Sequence, residues 1–253
     1  MVVKSGTLWR SLGSAWAWFT TGLIVSVWLP TMLVLFAVTV PFDRGRYVVG
    51  RWFRVAAMLV AKTNPFWRFR TSGVRVEEPR RPYVVVANHE SFADILLISH
   101  LPWEMKWMSK AEFFRIPIVG WEMRLAGDIP LRRGSPTSAG QAMSYAREVL
   151  RRRVSVMIFP EGTRSPTSDL LPFKEGAFRL AIKAGVPVLP LAVAGTRTAL
   201  PKHDWRFGRA AAHVEVLPPV ETSGLTLQDA SELRDRVRQM IDQARTGLQE
   251  RLR

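Results

Sequence analysis

Asn88 and His89 directly follow an apolar run, and Asp94 lies five residues after the histidine. The apolar residues 83–87 are typical of a buried strand, which would place His89 at the mouth of a sheet. A histidine beside a carboxylate is the arrangement of a general base oriented by its partner. The pair predicts chemistry on a hydroxyl group, although the same residues could form only a structural hydrogen bond in a loop.

The spacing of the two residues restricts where they can lie. Five residues of a regular helix rotate a side chain by about 500°, which leaves the two side chains about 140° apart. They therefore cannot share one face of a helix. We expect His89 in the loop after the strand and Asp94 in the first turn of the next helix.

A second polar segment, residues 159–165, also follows an apolar run and reads Phe-Pro-Glu-Gly-Thr-Arg-Ser. Gly162 would let the backbone approach a ligand, Thr163 offers a hydroxyl, and Arg164 offers a planar guanidinium suited to phosphate. Alone, the segment would be explained as an ordinary turn. Loops at the carboxyl ends of parallel strands converge, however, so the two polar segments are expected to share a pocket.

The N-terminal region predicts a membrane anchor. No charged residue occurs in residues 11–42, and about 20 apolar residues are enough to cross a bilayer. The run is longer than the apolar core of a secretory signal peptide. Pro30 could kink one spanning helix or mark the turn of a re-entrant hairpin.

A second anchor helix is expected over residues 47–60, where apolar residues alternate with Arg51 and Arg54 at near-helical spacing. Such a helix would lie at the headgroup level with its basic side chains reaching toward phosphates. The positive-inside rule then places the rest of the chain on the cytoplasmic side of the cell membrane. This orientation rests on four arginines after the run and two basic residues before it: Arg44, Arg46, Arg51 and Arg54 against Lys4 and Arg10.

Composition narrows the chemistry further. The chain has no cysteine, which excludes disulfides, thiolate metal sites and a cysteine nucleophile. Its four histidines show no metal-ligand spacing, so we expect no metal. The formal net charge of +15 suits anionic partners, namely nucleic acid, lipid headgroups, phosphorylated metabolites or acidic carrier proteins, and does not choose among them.

Short apolar runs alternate with helical patterns after the anchor, which is typical of an α/β fold. We predict a mostly parallel sheet flanked by helices, preceded by an N-terminal helical membrane anchor. Residues 1–66 would form the anchor, with one or two helices, and residues 67–253 the α/β domain. The strands are expected over residues 83–87, 106–108, 154–159, 188–193 and 213–217.

Together, the two polar segments resemble motifs of the glycerolipid acyltransferase family, membrane enzymes that acylate lysophosphatidic acid and related lipids. The family's first motif reads Asn-His-x4-Asp and its third reads Phe-Pro-Glu-Gly-Thr-Arg-Ser, and both stand here without substitution. The resemblance covers roughly residues 83–196. It implies an α/β acyltransferase domain.

The family's second motif usually reads Gly-x-hydrophobic-aromatic-hydrophobic-Asp-Arg, and here the chain departs from it. Arg133 takes the arginine position, Arg132 replaces the acid and Pro130 replaces the aromatic residue. The departure keeps other acceptors open, namely another lysophospholipid or a lyso-aminolipid.

The resemblance also implies roles for individual residues. His89 would take the proton of the acceptor hydroxyl as that oxygen attacks an acyl thioester, and Asp94 would hold the imidazole, whose unperturbed pKa is about 6.5. Ser91 as a nucleophile is the mechanistic alternative, but no Gly-x-Ser-x-Gly segment supports it. The expected acceptor subsite combines cations with the third motif: Arg133, Arg164, Lys110, Glu161, Gly162 and Thr163.

The expected reaction converts 1-acyl-glycerol-3-phosphate to phosphatidic acid, with acyl-CoA or an acyl carrier protein as co-substrate and no further cofactor. Membrane lipids are the expected partners, and nucleic acid is not. The sequence sets no oligomeric state. A more distant alternative is a basic membrane protein that binds anionic lipid without turnover.

Overall fold

A computed structural model describes residues 5–167, 169–200 and 204–252. Lys4 and His203 lie outside these ranges. The helices are α1 Ser5–Thr39, α2 Tyr47–Thr63, α3 Ala93–Ile98, α4 Val119–Ala126, α5 Pro136–Arg151, α6 Gly176–Ala184 and α7 Ala230–Arg251, with a 3-10 helix at Ala111–Arg115. The strands are β1 Trp67–Gly73, β2 Val84–Ala87, β3 Met105–Lys110, β4 Ile129–Leu131, β5 Ser155–Ile158, β6 Val188–Ala194 and β7 Ala210–Val216.

The strands form one sheet in the order β1-β7-β6-β2-β5-β3-β4. All neighbouring strands pair in parallel except β6 and β7, which are antiparallel. The predicted fold class, a mostly parallel sheet flanked by helices after an N-terminal apolar helix, is confirmed. The five predicted strands are present with small changes of their ends, whereas β1 and β4, the two edge strands, were not predicted.

Helices cover both faces of the sheet. One hydrophobic cluster joins alternate residues of the central strands, such as Val84 and Val86, to α5, α6 and α7. The other cluster joins the residues between them, such as Val85, to α3. Because side chains of a strand alternate between faces, the uniformly apolar strands β2 and β6 can contribute to both clusters. The helices α1 and α2 lie on the α3 side, opposite α5 to α7.

The N-terminal run forms one continuous helix, α1, with Pro30 inside it. The re-entrant turn at Pro30, one of the two alternatives, is therefore not formed. In the described part of the chain, α1 is the one helix long and apolar enough to cross a membrane by length and composition. Its exposed side chains include large apolar residues from Leu8 to Val38, a surface typical of membrane association.

The helix α2 corresponds to the predicted amphipathic helix, but the prediction for Arg54 is wrong. Its guanidinium does not reach toward lipid phosphates: the residue is 4% exposed and pairs with Asp128 and, at 3.5 Å, with Glu104. Lys106 donates to Glu104 over 2.9 Å, which completes a buried charge cluster. Near-helical spacing cannot distinguish a side chain facing headgroups from one facing a protein interior, and here the neighbour is the sheet.

Candidate active site

The carboxyl ends of β2, β5 and β6 meet at one edge of the sheet, because Val84 of β2 pairs with Val156 on one side and Val188 on the other. The Asn88 side chain extends the pairing between β2 and β6. Its Nδ2 donates to Val193 O over 2.8 Å, and its Oδ1 accepts from Val193 N over 2.8 Å. These two bonds fix the backbone that presents His89.

His89 and Asp94 lie where the spacing predicts, the histidine in the loop after β2 and the aspartate in the first turn of α3. The two side chains are joined by a hydrogen bond of 2.8 Å between His89 Nδ1 and Asp94 Oδ2. Asp94 is fully buried, and its Oδ2 also accepts the backbone N–H groups of Glu90 and Ser91. The Thr196 hydroxyl donates to Oδ1. Asp94 is thus held as an acceptor, which keeps the imidazole proton on Nδ1 and leaves Nε2 free to take a proton.

The second loop braces the first through Glu161. Its two carboxylate oxygens accept the N–H of His89 over 2.7 Å and the N–H of Leu171 over 3.0 Å. The Ser165 N–H donates to His89 O over 3.0 Å, and the Phe159 ring stacks on the imidazole at 3.9 Å. The two motifs therefore form one rigid unit in which the ring plane of His89 is fixed.

Two further carboxyl groups next to His89 have altered acidity. Burial raises the pKa of Glu161, against the opposing effect of its two backbone hydrogen bonds. Burial and the charge of Asp94 raise the pKa of Glu90 to about 7. At neutral pH Glu90 is therefore partly protonated, which lowers the negative charge beside Asp94.

A cationic cavity of about 520 Å³ adjoins this unit at the ends of β3, β4 and β5. Phe159 forms part of the cavity wall, and because its ring stacks on His89, the cavity lies next to the histidine. Its lining includes four cations and one glycine: Arg132 and Arg133 of the second motif, Gly162 of the third motif, and Lys110 and Lys174 from outside the motifs. Lys110 pairs with Glu112 at 3.6 Å, and the other three cations have no ion pair with any residue that the structure describes.

Gly162 and Lys174 are in close contact. Gly162 has a φ of +72°, and the Lys174 Nζ lies 2.9 Å from where a Cβ at residue 162 would stand. The Lys174 N–H donates to Pro160 O over 2.9 Å, which ties this lysine to the loop. A side chain at residue 162 would strain the backbone and displace the ammonium group.

Thr163 and Arg164 do not line this cavity. Both are exposed, at the rim of the loop between Glu161 and Ser165. Of the six residues expected in the acceptor subsite, the cavity thus brings together Lys110, Arg133 and Gly162. Glu161 lies behind them with both oxygens occupied by backbone amides.

A separate apolar cavity of about 210 Å³ lies between the sheet and the anchor helices. Phe92 of the His89 loop and Trp107, whose ring is 6.0 Å from that of Phe159, place it beside the catalytic pair. Its other walls come from α1, α2 and α4, including Val25, Ala57 and Met123. Among residues 5–167, 169–200 and 204–252, no group of three or more acidic or histidine side chains is arranged to hold a metal ion.

Two side chains of this site, Thr196 and Lys174, were not predicted from the sequence. Thr196 is 102 residues from the aspartate that it contacts, and a lone threonine after a strand is an ordinary turn residue. Lys174 stands in a Phe-Lys-Glu-Gly segment that resembles the family, which is the signal that could have identified it.

Comparison with known proteins gives the same family as the site. The acyltransferase family model matches residues 68–194. Human 1-acyl-sn-glycerol-3-phosphate acyltransferase alpha is 36% identical over 92% of this chain and 82% of its own length. A 1-acyl-sn-glycerol-3-phosphate acyltransferase of Chlamydomonas reinhardtii is 35% identical over 83% of this chain, which spans 63% of that relative.

The fold also matches a solved structure. The 1-acyl-sn-glycerophosphate (LPA) acyltransferase of Thermotoga maritima aligns with a TM-score of 0.76 and 27% identity, covering 96% of this chain and 97% of that one. The similarity thus extends through the anchor helices as well as the α/β domain. The chain belongs to the acyltransferase family.

Proposed function

We propose that this protein transfers a fatty acyl group from an acyl thioester, either acyl-CoA or an acylated carrier protein, to the free hydroxyl of 1-acyl-glycerol-3-phosphate. The product is phosphatidic acid, a precursor of phospholipids. The observation that carries the proposal is the His89–Asp94 pair beside a cavity lined by four cations, three of which have no ion pair with any described residue. The names of the relatives support the same acceptor.

The reaction is a direct transfer with His89 as the base. Because Nδ1 donates to Asp94, Nε2 takes the proton of the acceptor hydroxyl as its oxygen attacks the thioester carbonyl. The carbon–sulfur bond then breaks, and the leaving thiolate takes the proton from the imidazolium to give a free thiol. Asp94 stabilises the imidazolium between these steps. The family assignment favours this enzyme over a protein that only binds anionic lipid.

The cationic cavity suits the acceptor phosphate. Arg133, Lys110 and Lys174 face it, and a planar guanidinium with ammonium groups binds phosphate oxygens through charge-assisted hydrogen bonds. Arg164 and Thr163 are exposed on the same loop as Gly162 but outside the cavity lining, and their contact with the acceptor stays a prediction. The exposed Arg132 at the position of the family's acid gives this cavity an extra positive charge, which favours an anionic lysophospholipid over a lyso-aminolipid.

The apolar cavity suits the acyl chain of the donor. It lies on the anchor side of the sheet and borders the loop of the catalytic pair, so a chain could lie in it while its thioester faces His89. Each methylene group buried there would contribute about 0.8 kcal/mol to the free energy of binding the donor.

The function is tested by acyl transfer with purified protein, one labelled donor and a panel of lyso-acceptors. Lysophosphatidate should be the preferred acceptor, and His89→Ala should abolish release of free thiol. Arg133→Ala and Lys174→Ala should chiefly raise the acceptor KM by about tenfold each. Arg147→Ala, an exposed arginine of α5, is the matched control and should leave the KM unchanged. Full activity of His89→Ala, or equal use of uncharged acceptors, would overturn the proposal.

We also infer that α1 lies along one leaflet of the cell membrane and does not cross it. Near its start, Arg10 donates to Phe207 O over 3.0 Å, and near its end, Phe36 stacks under Arg46 at 5.2 Å. These contacts are about 39 Å apart along the helix, more than the thickness of the hydrocarbon core. A crossing helix would therefore pull the polar α/β domain into the bilayer. The arginines after α1 support a cytoplasmic position for that domain.

The orientation of α1 is tested by cysteine labelling, because the chain has no cysteine of its own. Thr7→Cys and Arg44→Cys place single thiols at exposed positions on either side of the helix. An impermeant thiol reagent should reach both from the cytoplasmic side of the membrane. Labelling of the two positions from opposite sides would mean that α1 spans the bilayer.

A further inference from the structure

Glu122 of α4 is a buried acid that the reaction does not use. The residue is fully buried and forms part of the wall of the apolar cavity. Neither of its carboxyl oxygens has a hydrogen-bond partner in the part of the chain that the structure describes. Most buried carboxyl groups in proteins are hydrogen-bonded, so an unpaired one in the wall of a cavity points toward what the cavity holds.

The surroundings make Glu122 a neutral hydrogen-bonding group. Burial raises its pKa to about 8, so near neutral pH the carboxyl is protonated and can both donate and accept. The nearby buried ions do not pair with it, since Arg54 contacts Asp128 and Glu104. A second unpaired group lines the same cavity, the indole N–H of Trp107.

The position of these groups relative to His89 is given by the sheet. Trp107 lies two residues before Ser109 on β3, and both line the cavity. Ser109 is nearer the carboxyl ends of the parallel strands, the edge of the sheet that carries His89 and is called the catalytic edge. Asp128, which also lines the cavity, accepts the backbone N–H of Trp107 over 3.0 Å, so the indole N–H is not used in that bond. Phe92 of the catalytic loop borders the same cavity as these polar groups, so a chain that lies in the cavity with its thioester at His89 passes them at a depth set by its carbon number.

We propose that Glu122 and Trp107 form a binding site for a hydroxyl group on the acyl chain, so that the donor this protein prefers is a hydroxylated fatty acyl thioester. The proposal rests on the proposed function, since it assigns the apolar cavity to the acyl chain. A hydroxyl at this depth can accept from the protonated carboxyl or the indole and donate to the carboxyl carbonyl. An unsubstituted chain leaves all three atoms buried without partners, which is unfavourable.

The test compares unsubstituted stearoyl thioester with stearoyl thioesters that carry one hydroxyl at successive carbons. In the wild type, at least one isomer should be used with a kcat/KM at least about fivefold above that of the unsubstituted donor. Glu122→Leu should abolish this preference, and Glu122→Gln, which keeps a donor and an acceptor, should retain most of it. Met123→Leu, a neighbour in the same wall, should keep the wild-type ratio.

Two results would overturn the proposal: no isomer preferred by the wild type, as expected if a buried water satisfies Glu122, or a preference that persists in Glu122→Leu. Displacement of a fluorescent fatty acid by the same hydroxylated chains measures the ratio without turnover. Preferential binding without release of thiol from any donor would therefore contradict the proposed function and still support the hydroxyl site. Equal displacement by all chains would overturn the hydroxyl site even in an active enzyme.

Discussion

The catalytic edge and the charge cluster under α2 both bury carboxylates, but they satisfy them to different degrees. At the catalytic edge, Asp94 accepts four hydrogen bonds and Glu161 accepts two from backbone amides. In the cluster, Glu104 Oε2 has no hydrogen bond with any described residue, and in the adjacent cavity wall neither oxygen of Glu122 has one. The first region is fixed for chemistry, whereas the second has unused hydrogen-bonding capacity.

The difference follows from how each region is built. The acceptors of the catalytic edge are satisfied mainly by N–H groups within two short loops, whose geometry is set once the parallel strands pair. The cluster joins Arg54 of α2 and Lys106 of β3 to Glu104 and Asp128, which directly precede β3 and β4, so each pair depends on the packing of separate elements. Its charges are also less secure, because burial raises the pKa of Glu104 and lowers the pKa of Lys106.

The largest effect is expected at the catalytic edge, for Asp94→Asn. Because Oδ2 accepts three N–H groups, the amide oxygen should take its place, and the amide nitrogen should donate to the Thr196 hydroxyl. The imidazole then keeps its proton on Nδ1 but loses the carboxylate charge that stabilises the imidazolium, so we expect kcat to fall by about 10³-fold with little change of the KM for either substrate. Thiol release under saturating donor and acceptor measures it.

The matched control for this change is Glu161→Gln, which also converts a buried carboxylate of the same site to an amide. Glu161 contacts backbone amides and not the imidazole ring, so the loss of kcat should stay near tenfold. Equal losses in the two variants would mean that Asp94 acts by holding the loop and not by stabilising the imidazolium with its charge.

A smaller effect, on stability, is expected for Arg54→Leu. Removing the guanidinium leaves Asp128 and Glu104 buried without their cation, which should lower the free energy of unfolding by about 3–4 kcal/mol. Chemical unfolding in detergent micelles measures this. Lys62→Leu, an exposed cation on the same helix, should change it by less than about 0.5 kcal/mol. An equally small loss of unfolding free energy in Arg54→Leu would contradict the buried ion pairs and support the lipid-facing role that the spacing predicted for Arg54.

The same contrast explains what could be predicted from the sequence. The places of His89 and Asp94 and the central strands follow from local patterns, namely apolar runs, polar segments after them and the five-residue spacing. The edge strand β4 is three residues long and contains Pro130, which argues against a strand. The role of Arg54 was predicted wrongly and that of Thr196 was not predicted, because their partners, Asp128 and Asp94, are distant in the chain.

The smallest effect is expected in the pH dependence of the unfolding free energy. It tests whether, unlike the carboxylates of the catalytic edge, the Glu122 carboxyl is buried without partners. Its ordinary pKa of 4.5 rises to about 8 in the folded protein, so the folded state retains a proton that the unfolded state releases above pH 4.5. The stability that this group contributes is complete below pH 4.5 and is lost as the pH rises toward about 8.

Between pH 6 and pH 7, both inside this window, the wild type should therefore lose about 1 kcal/mol more of its unfolding free energy than Glu122→Gln, which cannot titrate. Glu90, whose pKa is also raised to about 7, is the same in both proteins and cancels in the difference. Parallel pH profiles, measured by chemical unfolding, would mean that Glu122 is as well satisfied as Asp94 and Glu161. The two regions would then differ only in their chemistry, and Glu122 would have no free hydrogen-bonding capacity to offer an acyl chain.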